Sequence, residues 1–426
     1  MRKINVFVIL FVSLLSSIAA PLFLDKVATL GVHIPQPDIE ADYVFAVLWA
    51  TALWVSILAW PVTSRDKRGL LWIWGVKSFV TLGFMLFYEA NYSVIDSYGY
   101  FANSTQSDFP FDVGIGAGTE NIMALAWLHN QIFPDSYHAL KVSFSMVGLI
   151  GVYIFYRAWV MFLGREDIRA LYFTALLPSI LFWSSILGKE PVILLGIAFY
   201  TYGVVGWYRL KRIRYLLITS LGIMVSILVR LWMGPILIVP LCILFLLQRT
   251  NLLLKVVLMA SVLAAFFLLM AQFKQMFGIE TVQDMLEITQ KISRSFSEGG
   301  SSQEVGVEFT SIGNMLAFAP IGAFTALFRP LPGEVLNPLG LLAGFENLLL
   351  VILCILAMIR SSIRKIQEPL VVWGISIVVI WATVYGFVSC QNLGTAVRYR
   401  SQILPILLGL LLYFLRLKEV SLKKRT

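Results

Sequence analysis

The run Leu70-Leu71-Trp72-Ile73-Trp74-Gly75-Val76-Lys77-Ser78-Phe79-Val80-Thr81-Leu82-Gly83-Phe84-Met85-Leu86-Phe87-Tyr88 is broken by one charge, Lys77. It is about as long as the ~20 residues a helix needs to cross a ~30 Å hydrocarbon core. Directly after it comes Asn91-Tyr92-Ser93-Val94-Ile95-Asp96-Ser97-Tyr98-Gly99-Tyr100-Phe101, which sets a carboxylate among tyrosines just beyond the helix end. A membrane helix followed by an acidic, aromatic loop is the pattern from which the rest of the chain is read.

Similar apolar runs recur. The chain is 59% hydrophobic and 13% charged, with a mean hydropathy of +0.83. Soluble chains are nearer half apolar and a quarter charged. Continuous rather than alternating runs exclude a β-barrel. Spans are expected at 4–24, 43–63, 70–88, 138–163, 170–187, 190–208, 214–229, 233–248, 252–272, 341–359, 370–389 and 403–417. The fold class is therefore all-α, a polytopic integral membrane protein of about twelve transmembrane helices forming one transmembrane domain over 1–426. Ser17-Ile18-Ala19 resembles a cleavage site, but Pro21 disfavours cleavage, and the first span is expected to be retained.

Charge sets the orientation. The segments placed inside carry most of the 33 Lys and Arg residues but few of the 24 Asp and Glu residues. By the positive-inside rule both termini are then cytoplasmic. The net charge of +9 is explained by this bias, so no nucleic-acid partner is expected. An unbroken helix through 215–247 would bury Arg230 and invert every later loop. Two short spans with Arg230 at the outer turn are expected instead.

Two outer segments, 89–137 and 273–340, are longer than connectors require and are expected to cover the site. In the second, Val282, Met285, Thr289, Ile292 and Phe296 recur at helical spacing, reading as an amphipathic surface helix. Ser297-Glu298-Gly299-Gly300-Ser301-Ser302 reads as a hinge. Residues 312–328 are apolar but read as a re-entrant or half-span helix, because a full span would put Arg360 outside.

This topology gathers Asp96, Lys189, Glu190, Arg230, Arg329, Glu334, Arg398 and Arg400 on the outer face, in one expected pocket. Asp96 is the candidate catalytic carboxylate, with Glu89 in reserve. The cations could clamp a phosphate or diphosphate, a task suited to the planar guanidinium fork. Tyr98 and Tyr100 could stack on sugar rings. Against each stands a plainer reading: Asp96 a solvated loop acid, Lys189 and Glu190 a snorkelling pair, Arg329 and Glu334 a local salt bridge. Gly114, Gly116 and Gly118 follow no strand, so they form no dinucleotide loop, and no Gly-x-x-x-x-Gly-Lys phosphate loop occurs. His129, Asp135 and His138 match no zinc spacing, and no metal ligands are assigned. Cys242, Cys354 and Cys390 have neither zinc nor disulfide spacing.

Asp96-Ser97-Tyr98-Gly99-Tyr100 after a membrane helix resembles the first outer loop of the GT-C superfamily of membrane glycosyltransferases. Arg398-Tyr399-Arg400-Ser401-Gln402-Ile403-Leu404-Pro405 resembles the start of a late helix in those enzymes. The stretches 178–190 and 328–334 resemble membrane proteins of bacterial polysaccharide clusters, where O-antigen polymerases also use outer-face arginines. The resemblance implies a GT-C-like fold in the bacterial inner membrane. It implies a polyprenyl-(di)phosphate-linked sugar or oligosaccharide as partner, alongside membrane lipid and other polysaccharide-assembly proteins. The product would be a surface polysaccharide, by single-sugar transfer or by polymerisation. Asp96 would act as general base or help hold a divalent cation; the cofactor itself stays unknown. Here the loop follows three spans rather than one and lacks a paired acid, which leaves subfamily and metal open. The rival expectation is a flippase for lipid-linked oligosaccharide, although no internal repeat is evident.

Overall fold

The computed structural model describes residues 22–91, 95–106, 108–248, 252–297, 302–303 and 308–415. Among the described residues the structure is helical without strands; Ser302 and Asn392 form an isolated bridge. Among the described residues, seven helices are long and apolar enough to cross a membrane: Ile39–Ala59, Ser64–Ala90, Tyr137–Leu163, Lys189–Leu210, Leu252–Phe277, Pro338–Arg360 and Pro369–Ser389. Four shorter apolar helices, Ile213–Val229, Met233–Leu247, Ile312–Phe328 and Leu404–Leu415, accompany them. This is the make-up of a membrane-embedded protein. The expected first span, 4–24, falls outside the described residues except for 22–24, as does most of the hinge read at 297–302.

The outward surfaces agree with a lipid setting. Trp72 is 74% exposed, Phe79 73% and Leu252 75%. Large apolar side chains exposed in such number mark a membrane or partner contact. In Leu252–Phe277 Leu269 is the buried residue, so this helix presents apolar side chains almost all round.

The chain divides into two compact units. The first holds residues 1–149 and 184–191. Its helix Ile39–Ser56 is capped by the Asp38 carboxylate, which accepts from Ala41 N–H at 2.9 Å. Thr63 caps the next helix by accepting from Asp66 N–H. That helix passes through a π-helical turn at Val80–Phe84. Trp74 Nε1 donates to Ala50 O at 2.9 Å, and Tyr43 Oη donates to Leu82 O within the π turn at 2.8 Å.

The second unit holds residues 150–183 and 192–426. Glycines set its closest helix contacts. A Cβ on Gly222 would stand 2.2 Å from Tyr200 N, and one on Gly386 2.5 Å from Gly322 C. Small residues allow such backbone approach, a main source of helix association where lipid competes for apolar contact. The chain breaks at Arg230, between Ile213–Val229 and Met233–Leu247, as the charge argument expects. The segment 170–187 differs from the single span expected. It forms two short helices, Ile168–Ala175 and Pro178–Trp183, because Pro178 lacks the N–H that a continuous helix needs.

The helix Val282–Ser295 stands where its periodicity placed it. It buries Leu286 and Ser293, while Val282 and Met285 are exposed. Thr281 and Asp284 form a reciprocal capping box. Backbone N–H groups of Thr281 and Glu280 hold the exposed Asp284 carboxyl below the ordinary range. A carboxyl depressed in the folded state contributes stability above its unfolded titration range and loses it as pH falls through the folded one.

Two outcomes are expected. Gly386→Val should lower the melting temperature of the detergent-solubilised protein, by the equivalent of about 1–3 kcal/mol. Gly313→Ala, at a site whose nearest neighbour is an ordinary 3.7 Å contact, should not. Asp284→Asn should remove the acid-side fraying of the Val282–Ser295 helix, read by hydrogen exchange across a pH series.

Candidate functional site

In the first unit, a polar seam joins Ser64–Ala90 to Tyr137–Leu163. Lys77, 2% exposed, donates from Nζ to Ser184 O at 2.7 Å, Ser184 Oγ at 2.6 Å and Ser185 Oγ at 2.9 Å. An ammonium has three donors, so each finds an acceptor. One turn on, Thr81 Oγ1 lies 2.9 Å from Ser145 Oγ. Beyond the π turn, Glu89 accepts from Lys141 Nζ at 2.8 Å, both side chains being almost wholly buried. His138 Nδ1 bonds the Asp42 carboxylate alongside. Tyr137 Oη lies 3.0 Å from Ser97 Oγ.

The first-loop candidates separate here. Asp96 opens the helix Asp96–Ser104 and is exposed, a position where the helix dipole favours a carboxylate. Tyr98 and Tyr100 are buried rather than presented around it. Tyr98 donates weakly to Glu89 O at 3.4 Å and packs on Tyr137. Burial, with the Glu89 charge nearby, raises the Tyr98 hydroxyl well above its ordinary range. The two tyrosines thus pack inward in the first unit, where sugar stacking was expected. Lys189 donates to Thr119 Oγ1 at 2.9 Å, and Glu190 is buried.

In the second unit, Arg230 leaves the end of Ile213–Val229 and lays its guanidinium 4.0 Å from the Tyr399 ring centroid. Its Nη1 reaches Tyr385 Oη at 3.3 Å, and Trp232 Nε1 donates to the same oxygen at 3.0 Å. Tyr399 belongs to the short helix Leu393–Arg400. Its neighbours diverge, as successive helix positions must. The Arg398 guanidinium lies 5.5 Å from the Trp183 ring. Arg400 is fully buried and donates from Nη1 to Leu327 O at 2.7 Å and Arg329 O at 3.3 Å. Its Nε and Nη2 have no hydrogen-bond partner among the described residues, and Glu346 acts on it electrostatically.

Glu346 in turn accepts from Ser179 N–H at 2.8 Å and from the Ser179 hydroxyl. It thereby satisfies the start of Pro178–Trp183. Asn347 Nδ2 donates to Pro330 O at 2.6 Å, so the 327–330 corner is pinned by Arg400 and Asn347. Arg329 and Glu334 pair with each other at 2.8 Å, and Leu331 N–H donates to Glu334 at 2.7 Å. That is the local salt bridge of the plainer reading, closing a turn.

The structure therefore places Glu89, Asp96, Tyr98, Tyr100, Lys189 and Glu190 in the first unit, and Arg230, Arg329, Glu334, Arg398 and Arg400 in the second. Sequence reading did not single out Lys141, Asp42, Ser179 or Glu346. An ionisable residue inside an apolar run is the signal that marks Glu346, since such a residue demands a partner. Among the described residues, no group of three or more His, Cys, Asp or Glu side chains is arranged to hold a metal ion. Comparison with family models, with curated proteins and with solved structures returns no match.

Removing one member of a buried ion pair strands the other, at a cost of about 3–5 kcal/mol. Lys141→Met should therefore unfold at markedly lower temperature in detergent. Lys141→Met with Glu89→Gln should recover most of the loss, whereas additive effects would mean that the two side chains do not depend on each other.

Proposed function

We propose that the chain is a membrane glycosyltransferase. It takes a sugar from a polyprenyl-(di)phosphate carrier on the extracytoplasmic face of a bacterial inner membrane, in the assembly or polymerisation of a surface polysaccharide. The observation that carries this reading is the arginine–aromatic group of the second unit. Arg230 lies over Tyr399 beside Tyr385 and Trp232, and Arg398 lies near Trp183. Arginine beside aromatic rings is chemistry suited to binding a phosphate. Aromatic faces suit sugar rings, and the apolar surroundings suit a lipid tail.

In this reading Arg230 and Arg398 bind the phosphate and stabilise the charge that grows on it as the glycosidic bond to the carrier breaks. Arg400 holds the 327–330 corner through the Leu327 and Arg329 carbonyls. Asp96 accepts the proton of the acceptor hydroxyl that attacks the anomeric carbon. The resemblance of the Asp96 and Arg398 segments to GT-C enzymes supports the same assignment.

Arg230→Ala and Arg398→Ala should each lower transfer from a polyprenyl-phosphate-linked sugar by about 10²–10³-fold, and Asp96→Asn should abolish it. The check is lipid-intermediate and polysaccharide analysis in a deletion strain complemented with each variant. Truncated repeats on lipid would identify a single-sugar transferase, and complete single repeats a polymerase. Purified protein that moves labelled lipid across vesicles without forming a glycosidic bond would overturn the reading in favour of a flippase.

A further inference from the structure

We infer that the second unit binds the phosphodiester of an anionic phospholipid where the helices Lys189–Leu210 and Met233–Leu247 end, with Lys211 and Gln248 as its direct contacts. The inference goes beyond the proposed reaction and does not depend on it. Three observations support it.

The first is a gathering of cations. The carbonyl end of a helix is negative and attracts them. Arg209 Nη2 donates to Phe162 O at 2.9 Å, in the last turn of Tyr137–Leu163. Lys211 Nζ donates at 2.9 Å to Oε1 of Gln248, the residue that caps Met233–Leu247. Lys255 Nζ donates to Leu246 O of that same helix. Arg212 and Arg214 are exposed in the same run as Arg209 and Lys211. Against these cations stands Glu368, whose charge acts on Tyr208 and Tyr413 together with that of Arg209.

The second is donor capacity that capping does not use. Gln248 is 5% exposed, and the Lys211 ammonium fixes its amide with the oxygen towards the lysine. Its Nε2 is buried and has no hydrogen-bond partner among the described residues. The same holds for Trp207 Nε1, whose ring lies 5.7 Å from Lys211 Nζ. Groups left so are rare in native interiors. Both can only donate, and both lie by a cation, so the partner they call for is a negatively charged acceptor. Burial also holds the Lys211 ammonium below its ordinary range, a shift that an anion beside it would reverse.

The third is the backbone at Lys211. Its φ is +54°, the left-handed conformation that ends many helices and that glycine adopts without strain. Its N–H closes the last turn on Trp207 O at 3.0 Å, which glycine would do equally well. Only the side chain sets lysine above glycine here.

The neighbouring apolar residues identify the source of the phosphate. Leu210, Ile213 and Leu246 are exposed around these cations. They suit the acyl chains of a lipid whose headgroup lies at the helix ends, and they offer nothing to free phosphate. The phosphate oxygens accept from Gln248 Nε2 and from the Lys211 N–H groups not donated to Gln248 Oε1.

The test uses the full chain in detergent, with lipid adducts measured by native mass spectrometry. The probes are dioleoylphosphatidylglycerol, dioleoylphosphatidylcholine and inorganic phosphate. The wild type should bind phosphatidylglycerol at least about fivefold more tightly than either of the others. Lys211→Gly should weaken that binding by about fivefold, the effect of one cation at a membrane surface, yet should melt no lower in lipid-free detergent. Gln248→Glu keeps an acceptor for Lys211 but sets a carboxylate where the phosphate would lie, and it should abolish the preference for phosphatidylglycerol. Arg294→Ala, which removes an exposed cation paired with Glu308 at 3.0 Å, should change nothing. Wild-type phosphatidylglycerol affinity in either Lys211→Gly or Gln248→Glu would overturn the inference. So would equal binding of phosphatidylcholine, or of inorganic phosphate, by the wild type.

Discussion

An ionisable side chain carried into an apolar interior must find a partner, and this requirement fixes much of the detail in both units. Lys77 is held by serine oxygens, Lys141 by Glu89, His138 by Asp42, and Glu346 by Ser179. Such contacts add little net stability over apolar residues of equal volume, but each is costly to break singly. Their effect is on register. The Lys77, Thr81 and Glu89 side of one helix can meet Ser145 and Lys141 of the next in few alignments, whereas glycine contacts such as Gly222 on Tyr200 tolerate sliding until a side chain intrudes.

The large features were legible because they follow from solvent. Most long apolar runs became helices, the chain broke at Arg230 rather than continuing as one overlong helix, and the 282–296 periodicity became the helix Val282–Ser295. Tertiary detail was less legible. Tyr98 and Tyr100 looked like a ring around Asp96, but that stretch coils into a short helix. Its inward face carries Ser97, Phe101 and Ser104, with both tyrosines tucked in. The two-residue spacing of Arg398 and Arg400 reads as a pair only on extended chain; on a helix it sends them to Trp183 and to the 327–330 carbonyls. Lys141 escaped notice because, so near the start of its helix, it reads as an ordinary loop-side charge.

The two groups of functional candidates differ in character. The second unit presents arginines against rings, with guanidinium edges suited to oxyanions. The first buries carboxylates, hydroxyls, an ammonium and an imidazole as separate hydrogen-bonded pairs.

The π-helical turn at Val80–Phe84 acts as a spacer in angle. Lys77 and Glu89 are separated by twelve positions, which on a regular helix at 100° per residue would point them about 120° apart. The widened turn absorbs close to one residue's rotation, and the two polar groups return to nearly the same stripe. One inserted position thus lets a single rod address two anchor points, Ser184 and Ser185 at one end and Lys141 at the other. A relative that had lost one residue between 80 and 84 could keep the same alignment on a plain helix, so chain length in this short window carries geometric information that residue identity does not.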